Sequence, residues 1–218
     1  MLGKISRAAS FLFLIFNLRF QHGPHHVVDF VFSNPLIRPL QMPSELHRFA
    51  EIIASIRPKK VLEIGTFQGG TLCMFARLSA PRATIISIDL PGGKFGGGQT
   101  RLRSLLYHMF GKLLQRMHLI RGDSHSEEVS AKVRDITQGL DALFIDGDHT
   151  YEGVKHDFLS YSPLVRPGGI IAFHDIAEQT PEIGCEVSRF WNAVKTSYRH
   201  EEIIENQNVG WGIGVLYI

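Results

Sequence analysis

The sequence predicts an α/β fold in which helices cover both faces of a doubly wound, mostly parallel sheet. Short continuous apolar runs recur after residue 60 and are separated by stretches with helical spacing, which is typical of parallel strands buried on both faces. A glycine-rich turn follows the first of these runs, as at a strand-to-helix connection. The chain of 218 residues, 44% hydrophobic and 20% charged, is long enough for one globular domain and too short for two ordinary ones.

Seven apolar runs are the strand candidates, and a helix is predicted before them. Ser44 is expected to cap this helix, apolar residues from Leu46 to Ile56 follow its period, and Pro58 is expected to end it. Helices fit between most of the later runs, so the sheet should have seven strands. The strand candidates are Val61–Ile64, Thr84–Ile88, His118–Arg121, Leu143–Ile145, Ile170–Phe173, Glu202–Ile204 and Gly214–Ile218.

The N-terminal 43 residues differ in composition from the rest. Residues 1–40 carry a net charge of +3, whereas the remainder carries −1. The segment from His22 to Pro43 has four prolines and no clear period, which predicts an extended connector. We therefore expect a basic, apolar N-terminal helical arm and connector over residues 1–43 and one main domain over residues 44–218.

The arm contains the apolar run Phe11–Phe16, which follows Lys4 and Arg7 and precedes Arg19. This run is far shorter than the ~20 apolar residues that span a bilayer. Three interpretations stay open: a helix packed on the domain or over its site, a basic-flanked helix on a membrane surface, and a cleaved secretory signal.

Charge and cysteine content exclude several classes of protein. A net charge of +2 is too small for a dedicated nucleic-acid binder. Cys73 and Cys185 are the only cysteines, so neither a disulfide framework nor a zinc motif is expected. The default location is the reducing cytoplasm, with peripheral membrane contact through the arm left open. The oligomeric state is unreadable, and a homo-oligomer stays open.

Acidic residues accompany the glycine-rich turn that runs from Gly65 to Gly70. Glu63 lies within the preceding strand, and Asp89 ends the next strand, 20 residues after Gly69. At that position a carboxylate can accept hydrogen bonds from two ribose hydroxyls. The turn carries Phe67 and Gln68 where a dinucleotide fingerprint would need glycine. A nucleoside ligand bearing an ammonium group therefore suits this turn better than NAD.

The segments Val-Leu-Glu-Ile-Gly-x-x-x-Gly and Ile-Ser-Ile-Asp resemble the first two motifs of class I S-adenosylmethionine-dependent methyltransferases, which have a Rossmann-like fold. The segment Arg121-Gly122-Asp123-Ser124 matches the third motif. The resemblance implies that the turn surrounds the methionine part, that Asp89 binds the ribose, and that Asp123 and Ser124 lie beside the adenine. The cofactor-binding residues implied are Glu63, Gly65, Thr66, Phe67, Gly69, Gly70, Asp89, Leu90, Asp123, Ser124 and Asp146.

Two further segments, Asp-Gly-Asp-His from Asp146 and Arg-Pro-Gly-Gly ending in His174-Asp175, resemble a small bacterial O-methyltransferase group. That group includes sugar and macrolide-sugar O-methyltransferases and cephalosporin-hydroxylase-like proteins, and the similarity covers residues 44–218. It implies methyl transfer from S-adenosylmethionine to a hydroxyl of a small molecule, a sugar or glycosylated metabolite.

Asp146 and His174 each follow an apolar strand run, and 28 residues separate them. That separation along the chain is the length of one strand-helix-strand crossover, so both residues should face the same crevice. Asp146, His174 and Asp175 are candidate ligands of a divalent cation such as Mg²⁺, although imidazole also admits other metals. Related metal-dependent enzymes carry an acid-acid or acid-amide pair where His174-Asp175 stands, so both the metal and the need for one stay open.

His149 is the candidate general base, with Asp146 and His174 as the other candidate catalytic residues. The alternative for His149 is a helix-start residue that caps backbone groups. The glycine stretch Gly92–Gly98, with Lys94 and Phe95, is predicted to be a lid over the crevice or else a flexible linker.

Two other classes of function stay open. One is a nicotinamide-dependent oxidoreductase, and the other is a non-catalytic nucleoside-ligand-binding protein on the same fold.

Overall fold

The computed structural model describes residues 14–18, 20–92, 100–180, 183–206 and 210–218, and only the backbone of residues 101 and 102. Most of the predicted arm, including Lys4 and Arg7, therefore lies outside the described residues. So does the predicted lid beyond Gly92, with Lys94 and Phe95.

The described residues form a seven-stranded sheet in the order β3-β2-β1-β4-β5-β7-β6. Neighbouring strands are parallel from β3 through β5, and β7 runs antiparallel to both β5 and β6. The predicted fold class is confirmed, and strand bounds differ by at most five residues, at the start of β5. The strands are β1 (Lys60–Ile64), β2 (Thr84–Asp89), β3 (Arg116–Arg121), β4 (Leu140–Ile145), β5 (Val165–His174), β6 (Arg199–Ile203) and β7 (Ile213–Tyr217).

Helices lie on both faces of this sheet because successive side chains of a strand point to opposite faces. Val61 belongs to one buried apolar cluster, whereas its neighbour Leu62 belongs to the other. Helices α1 to α3 pack into the first cluster, and α5 to α7 pack into the second. The helices are α1 (Pro24–Ser33), α2 (Pro43–Ile56), α3 (Gly70–Leu78), α4 (Arg101–His108), α5 (Glu127–Ile136), α6 (Tyr151–Tyr161) and α7 (Val187–Val194).

The predicted cap of α2 is wrong. The helix begins at Pro43, Met42 occupies the N-cap position, and no side chain caps it. Proline suits the first helical position because its fixed φ is helical and the N–H it lacks would have no partner there. The helix ends at Ile56, and Arg57 adopts a left-handed conformation with φ 49° before Pro58.

The prediction of an extended connector over residues 22–43 is also wrong, because α1 occupies its first half. Pro24 begins this helix instead of interrupting it, and Val27, Val28 and Val31 are buried against the main core. The division of the chain at residue 44 stays a prediction, but residues 24–43 share a hydrophobic core with the strands.

Residues 14–18 are helical, and Leu14 and Leu18 are buried in the same core. For these residues the packing supports the first of the three interpretations of the arm. No helix in the described part of the chain is long and apolar enough to cross a membrane. Membrane-surface contact and the oligomeric state stay predictions.

Leu14→Ala should lower the free energy of unfolding by about 2–5 kcal/mol, because it leaves a cavity in the core. Phe16, on the same helical segment, is 64% exposed, and Phe16→Ala should stay within about 0.5 kcal/mol. Urea denaturation of the wild type and the two variants measures these differences in the free energy of unfolding. Equal losses in both variants would contradict the packing of this segment.

Candidate active site

A cavity of about 620 Å³ opens at the carboxyl ends of the parallel strands. It lies where β1 separates β2 from β4, the switch point at which open α/β sheets bind ligands. Its volume is within the range of small-molecule sites, about 300–1,000 Å³. The cavity therefore lies at the strand ends, where the sequence predicts a ligand-binding crevice.

Gly65 joins β1 to the floor of this cavity. Its φ is +87°, and a Cβ there would lie 1.9 Å from the carbonyl oxygen of Asp146. The Gly65 N–H donates to the Ile88 carbonyl, and the Asp146 N–H donates to the Ile64 carbonyl, both at 2.9 Å. Only glycine fits here, because any side chain would push apart the ends of β1 and β4.

The rest of the turn is held from two sides. Phe67 has a left-handed φ of +47°, and its carbonyl accepts a 2.8 Å hydrogen bond from the Tyr107 hydroxyl. On the other side, a Cβ on Gly70 would lie 2.4 Å from the Ile37 carbonyl. The N-terminal segment thus packs directly against the start of α3.

Glu63 lies beneath the turn and does not line the cavity. It is fully buried, and its carboxylate accepts a hydrogen bond from the Thr71 hydroxyl. Burial raises the pKa of Glu63 to about 8. A carboxyl group that is largely protonated at neutral pH supports the turn, whereas direct binding of an ammonium group by Glu63 stays a prediction.

Asp89 and Asp123 stand at the ends of β2 and β3. Asp89 is 7% exposed, lines the cavity and accepts a 3.4 Å hydrogen bond from the Thr66 N–H. The Asp123 carboxylate accepts from the His125 N–H at 2.9 Å, and the neighbouring Ser124 carbonyl accepts from the Tyr161 hydroxyl at 2.7 Å. These contacts hold the third-motif loop against the cavity.

Four side chains form a closed ring, in which imidazoles alternate with carboxylates, at the ends of β4 and β5. His174 Nδ1 lies 3.2 Å from Asp146 Oδ1 and 3.4 Å from Asp175 Oδ1. His149 Nε2 lies 3.4 Å from Asp146 Oδ1, and its Nδ1 lies 3.2 Å from Asp175 Oδ2. The structure therefore brings together all the predicted catalytic and metal-binding residues.

The ring fixes the charges of its members. Burial by itself would lower the pKa of His149, but the hydrogen bond to Asp146 and the nearby carboxylates raise it to about 11. The pKa of His174 is raised in the same way, against the effect of its burial. Burial opposes ionisation of Asp146, yet the charge of His174 holds the pKa of that carboxyl below its usual range. The two carboxylates therefore favour the protonated form of both imidazoles.

Asp175 has φ +62°, a left-handed conformation that is uncommon for residues other than glycine, asparagine and aspartate. Such strain is typical of functional sites. It turns the chain sharply after β5 and leaves the carboxylate 5% exposed between the two imidazoles.

Asp146, His174 and Asp175 are close enough together to hold a metal ion, because one ligand atom from each lies within 4.8 Å of the others. In the described part of the chain, His174 Nε2 and Asp175 Oδ1 are buried and have no hydrogen-bond partner. Unsatisfied buried groups are costly unless an ion, water or substrate completes them. Two carboxylates and one imidazole suit Mg²⁺ or Mn²⁺ and admit Zn²⁺.

Gln41 is a site residue that the sequence does not reveal. Its Nε2 donates a 2.7 Å hydrogen bond to Asp146 Oδ2, and its buried Oε1 has no hydrogen-bond partner among the residues that the structure describes. It comes from the segment expected to be a connector, 105 residues before its partner. A lone glutamine there carries no sequence signal. Trp211 also lines the cavity and lies over His174, with ring centroids 5.6 Å apart.

The predicted site residues line this one cavity, with the exceptions of Glu63 and Gly69. Gly69 is the N-cap of α3, and a Cβ there would meet the Tyr107 ring at 2.5 Å. The capping interpretation of His149 is wrong, since the Thr150 side chain caps α6 by accepting from the Gly153 N–H. The imidazole of His149 is directed at the carboxylates instead.

Residues 62–176 match the family described as methyltransferase domain. The match covers more than half of the chain, so the chain belongs to this family. A protein described as uncharacterized protein R132 of Acanthamoeba polyphaga mimivirus is 33% identical over 116 residues, 52% of this chain and 50% of that protein. The chain thus spans about half the length of that relative.

Solved structures share the fold at low identity. The O-methyltransferase TomG from Streptomyces achromogenes, in complex with SAM, is 17% identical with a TM-score of 0.59, covering 100% of this chain and 92% of its own. The TDP-rhamnose 3′-O-methyltransferase CalS11 is 18% identical with a TM-score of 0.57, covering 100% and 96%. MycE, in complex with Mg, SAH and mycinamycin VI, is 18% identical with a TM-score of 0.54, covering 78% and 48%.

Glu63→Gln should change how stability depends on pH. Because the folded-state pKa is about 8 and the usual value is 4.5, the folded wild type holds the extra proton between these values. Its stability therefore falls as pH rises through that window, by at most about 1.4 kcal/mol per pH unit. The glutamine variant does not lose stability in this way. Its free energy of unfolding relative to the wild type, measured by urea denaturation, should therefore increase from pH 5.5 to 8.

Glu128→Gln is the control for this prediction. Glu128 is fully exposed, and its hydrogen bond with Lys132 lowers its pKa, so that variant should keep a constant difference from the wild type over the same range. A constant difference for Glu63→Gln as well would contradict the protonated state of Glu63.

Proposed function

We propose that the protein is an S-adenosylmethionine-dependent O-methyltransferase that acts on a hydroxyl group of a small molecule. One observation carries the proposal: a glycine turn with a ribose-type carboxylate and a ring of two aspartates and two histidines share one cavity. The first part suits a nucleoside cofactor, and the second suits the activation of a hydroxyl. Membership in the methyltransferase family supports the combination.

S-adenosylmethionine, when bound, supplies a sulfonium methyl group for in-line transfer. The chain provides the Gly65–Gly70 turn around the methionine part, Asp89 for the ribose hydroxyls, and Asp123 and Ser124 near the adenine. Asp89 suits this role because it is nearly buried and already oriented by the Thr66 N–H. TomG and MycE, crystallised with SAM and SAH respectively, support this assignment.

The acceptor side of the cavity is formed by the ring and by the segments around it. Leu40, half exposed, and Trp211 line this part, together with Gln179 and Ile183. Apolar and amide groups around a polar centre suit a glycosylated metabolite or nucleotide sugar. CalS11, which acts on TDP-rhamnose, and MycE, bound to mycinamycin VI, support the sugar class.

The hydroxyl must lose its proton as the new bond forms, and the ring offers a route for that proton. In the closed ring the two carboxylates favour the protonated form of His149, so His149 must release that proton to solvent before it can act as a base. We propose that Asp146, His174 and Asp175 would hold a divalent cation, which would supply charge stabilisation for the hydroxyl oxygen. His149, once neutral, is the residue placed to accept the proton of the acceptor hydroxyl.

Cofactor binding can be measured before any acceptor is known. Isothermal titration with S-adenosylhomocysteine should show one site per chain, and Asp89→Ala should weaken the affinity about 10–100-fold, because hydrogen bonds to a charged group are lost. Asp135, an exposed acid on α5, gives the control Asp135→Ala, which should leave the affinity unchanged. Thermal stabilisation by NAD alone would overturn the assignment in favour of an oxidoreductase.

Assays of methyl transfer to a panel of glycosides and nucleotide sugars test the role of the metal and the role of the base separately. EDTA should abolish methyl incorporation, and Mg²⁺ or Mn²⁺ should restore it. His149→Ala should lower kcat by about 10²–10⁴ with cofactor affinity retained, whereas the exposed His108→Ala should retain full turnover.

Metal binding has its own readout in this experiment. Asp175→Asn keeps a residue that tolerates φ +62° but removes a charged ligand, so it should lose the thermal shift caused by Mn²⁺. Full activity in EDTA with no retained metal would show that the ring works without an ion.

A further inference from the structure

We propose a second metal site, formed by His125, His156 and Asp157, that takes Zn²⁺ or a similar borderline transition ion. One ligand atom from each of these residues lies within 4.8 Å of the others. His125 follows β3, and the other two residues are consecutive on α6. The cluster shares no residue with the ring at Asp146.

Asp157 is the observation that points to an ion. It is fully buried, and among the described residues neither carboxylate oxygen has a hydrogen-bond partner. A buried carboxylate is costly unless charged or polar groups compensate it. His125 lies close to it, since His125 Nε2 is 3.5 Å from Asp157 Oδ1 and is likewise buried without a hydrogen bond to any described residue. A cation between these two atoms would satisfy both of them.

The spacing suits a small tetrahedral ion. Two ligands about 2.0–2.1 Å from Zn²⁺ lie about 3.4 Å apart, which matches the 3.5 Å between His125 Nε2 and Asp157 Oδ1. The third ligand, His156, is exposed and can approach by a change of rotamer, and its ring centroid already lies 4.6 Å from that of His125. The Ser160 hydroxyl lies 3.3 Å from His156 Nδ1, an outer contact of the type that orients a metal-binding imidazole.

The surface around the cluster leaves space for an ion to enter and for a fourth ligand to bind it. A surface cavity of about 390 Å³ adjoins the cluster, and the carboxyl side chains Asp148 and Glu152 line it together with the cation Lys155. Two imidazoles and one carboxylate favour Zn²⁺, Co²⁺ or Ni²⁺ over Mg²⁺. Three protein ligands with an open position allow water or a ligand atom to complete the coordination.

His125 connects this site to the main cavity, because it lines both. The loop that carries it also holds Asp123 and Ser124, beside which the adenine is proposed to lie. An ion on His125 would fix that loop, so metal binding should alter cofactor affinity. This coupling rests on the proposed function, whereas metal binding itself does not.

The test is a titration of the full chain with Zn²⁺ and Co²⁺, without cofactor. The described residues form two candidate metal clusters around the ring, and Asp175 belongs to both of them. Asp175→Asn therefore provides a background in which the site at Asp157 should remain. In that background His156→Ala and Asp157→Asn should each weaken metal affinity at least tenfold and remove the visible absorption of bound Co²⁺. His108→Ala, a matched exposed helix histidine, should change neither.

His156 is exposed, so its alanine variant tests the proposal even if Asp157→Asn fails to fold. Equal metal affinity in His156→Ala and His108→Ala overturns the proposal, as does the absence of any bound ion in the Asp175→Asn background. A third outcome separates the two proposals. If His156→Ala loses metal binding while neither the wild type nor any variant binds S-adenosylhomocysteine, the metal site is supported and the proposed function is overturned.

Discussion

The close approach of β1 and β4 at Gly65 is the constraint on which the rest of the site depends. A Cβ at position 65 would lie only 1.9 Å from the carbonyl oxygen of Asp146. The backbone of the glycine turn and the backbone of this aspartate are therefore in direct contact. On one side of that contact lies the turn proposed to hold a nucleoside, and on the other lies Asp146, a proposed catalytic residue. The two proposed roles therefore depend on one backbone geometry rather than on two separate loops.

The ring of Asp146, His149, His174 and Asp175 adds an electrostatic constraint. Its two carboxylates favour the protonated form of both neighbouring imidazoles. If Asp146, His174 and Asp175 were to bind a cation, His174 would have to release its proton, as titratable ligands do in other metal sites. Among the described residues, His174 Nε2 and Asp175 Oδ1 have no hydrogen-bond partner, so the four side chains by themselves leave part of the site unsatisfied.

Much of the fold could be predicted because apolar runs and glycine turns are local signals. The strands, the Gly65 turn and the ends carrying Asp89, Asp146 and His174 all follow from them. Helix α1 and the first residue of α2 were not predictable in this way, because Pro24 and Pro43 look like breakers although they occupy first helical positions. The contact of Gln41 with Asp146 and the left-handed turn at Asp175 depend on tertiary packing, for which a single sequence carries no signal.

The segment between α1 and α2 touches both halves of the site. Ile37 packs on the start of the turn proposed to bind the cofactor, Leu40 lines the cavity, and Gln41 donates to the carboxylate of Asp146, a proposed catalytic residue. An exchange of this segment between related chains would change the wall that an acceptor meets and the field at the reacting oxygen in a single event. Acceptor preference and intrinsic reactivity would then be inherited together, so new specificities would arise with altered chemistry rather than by reshaping of a passive pocket.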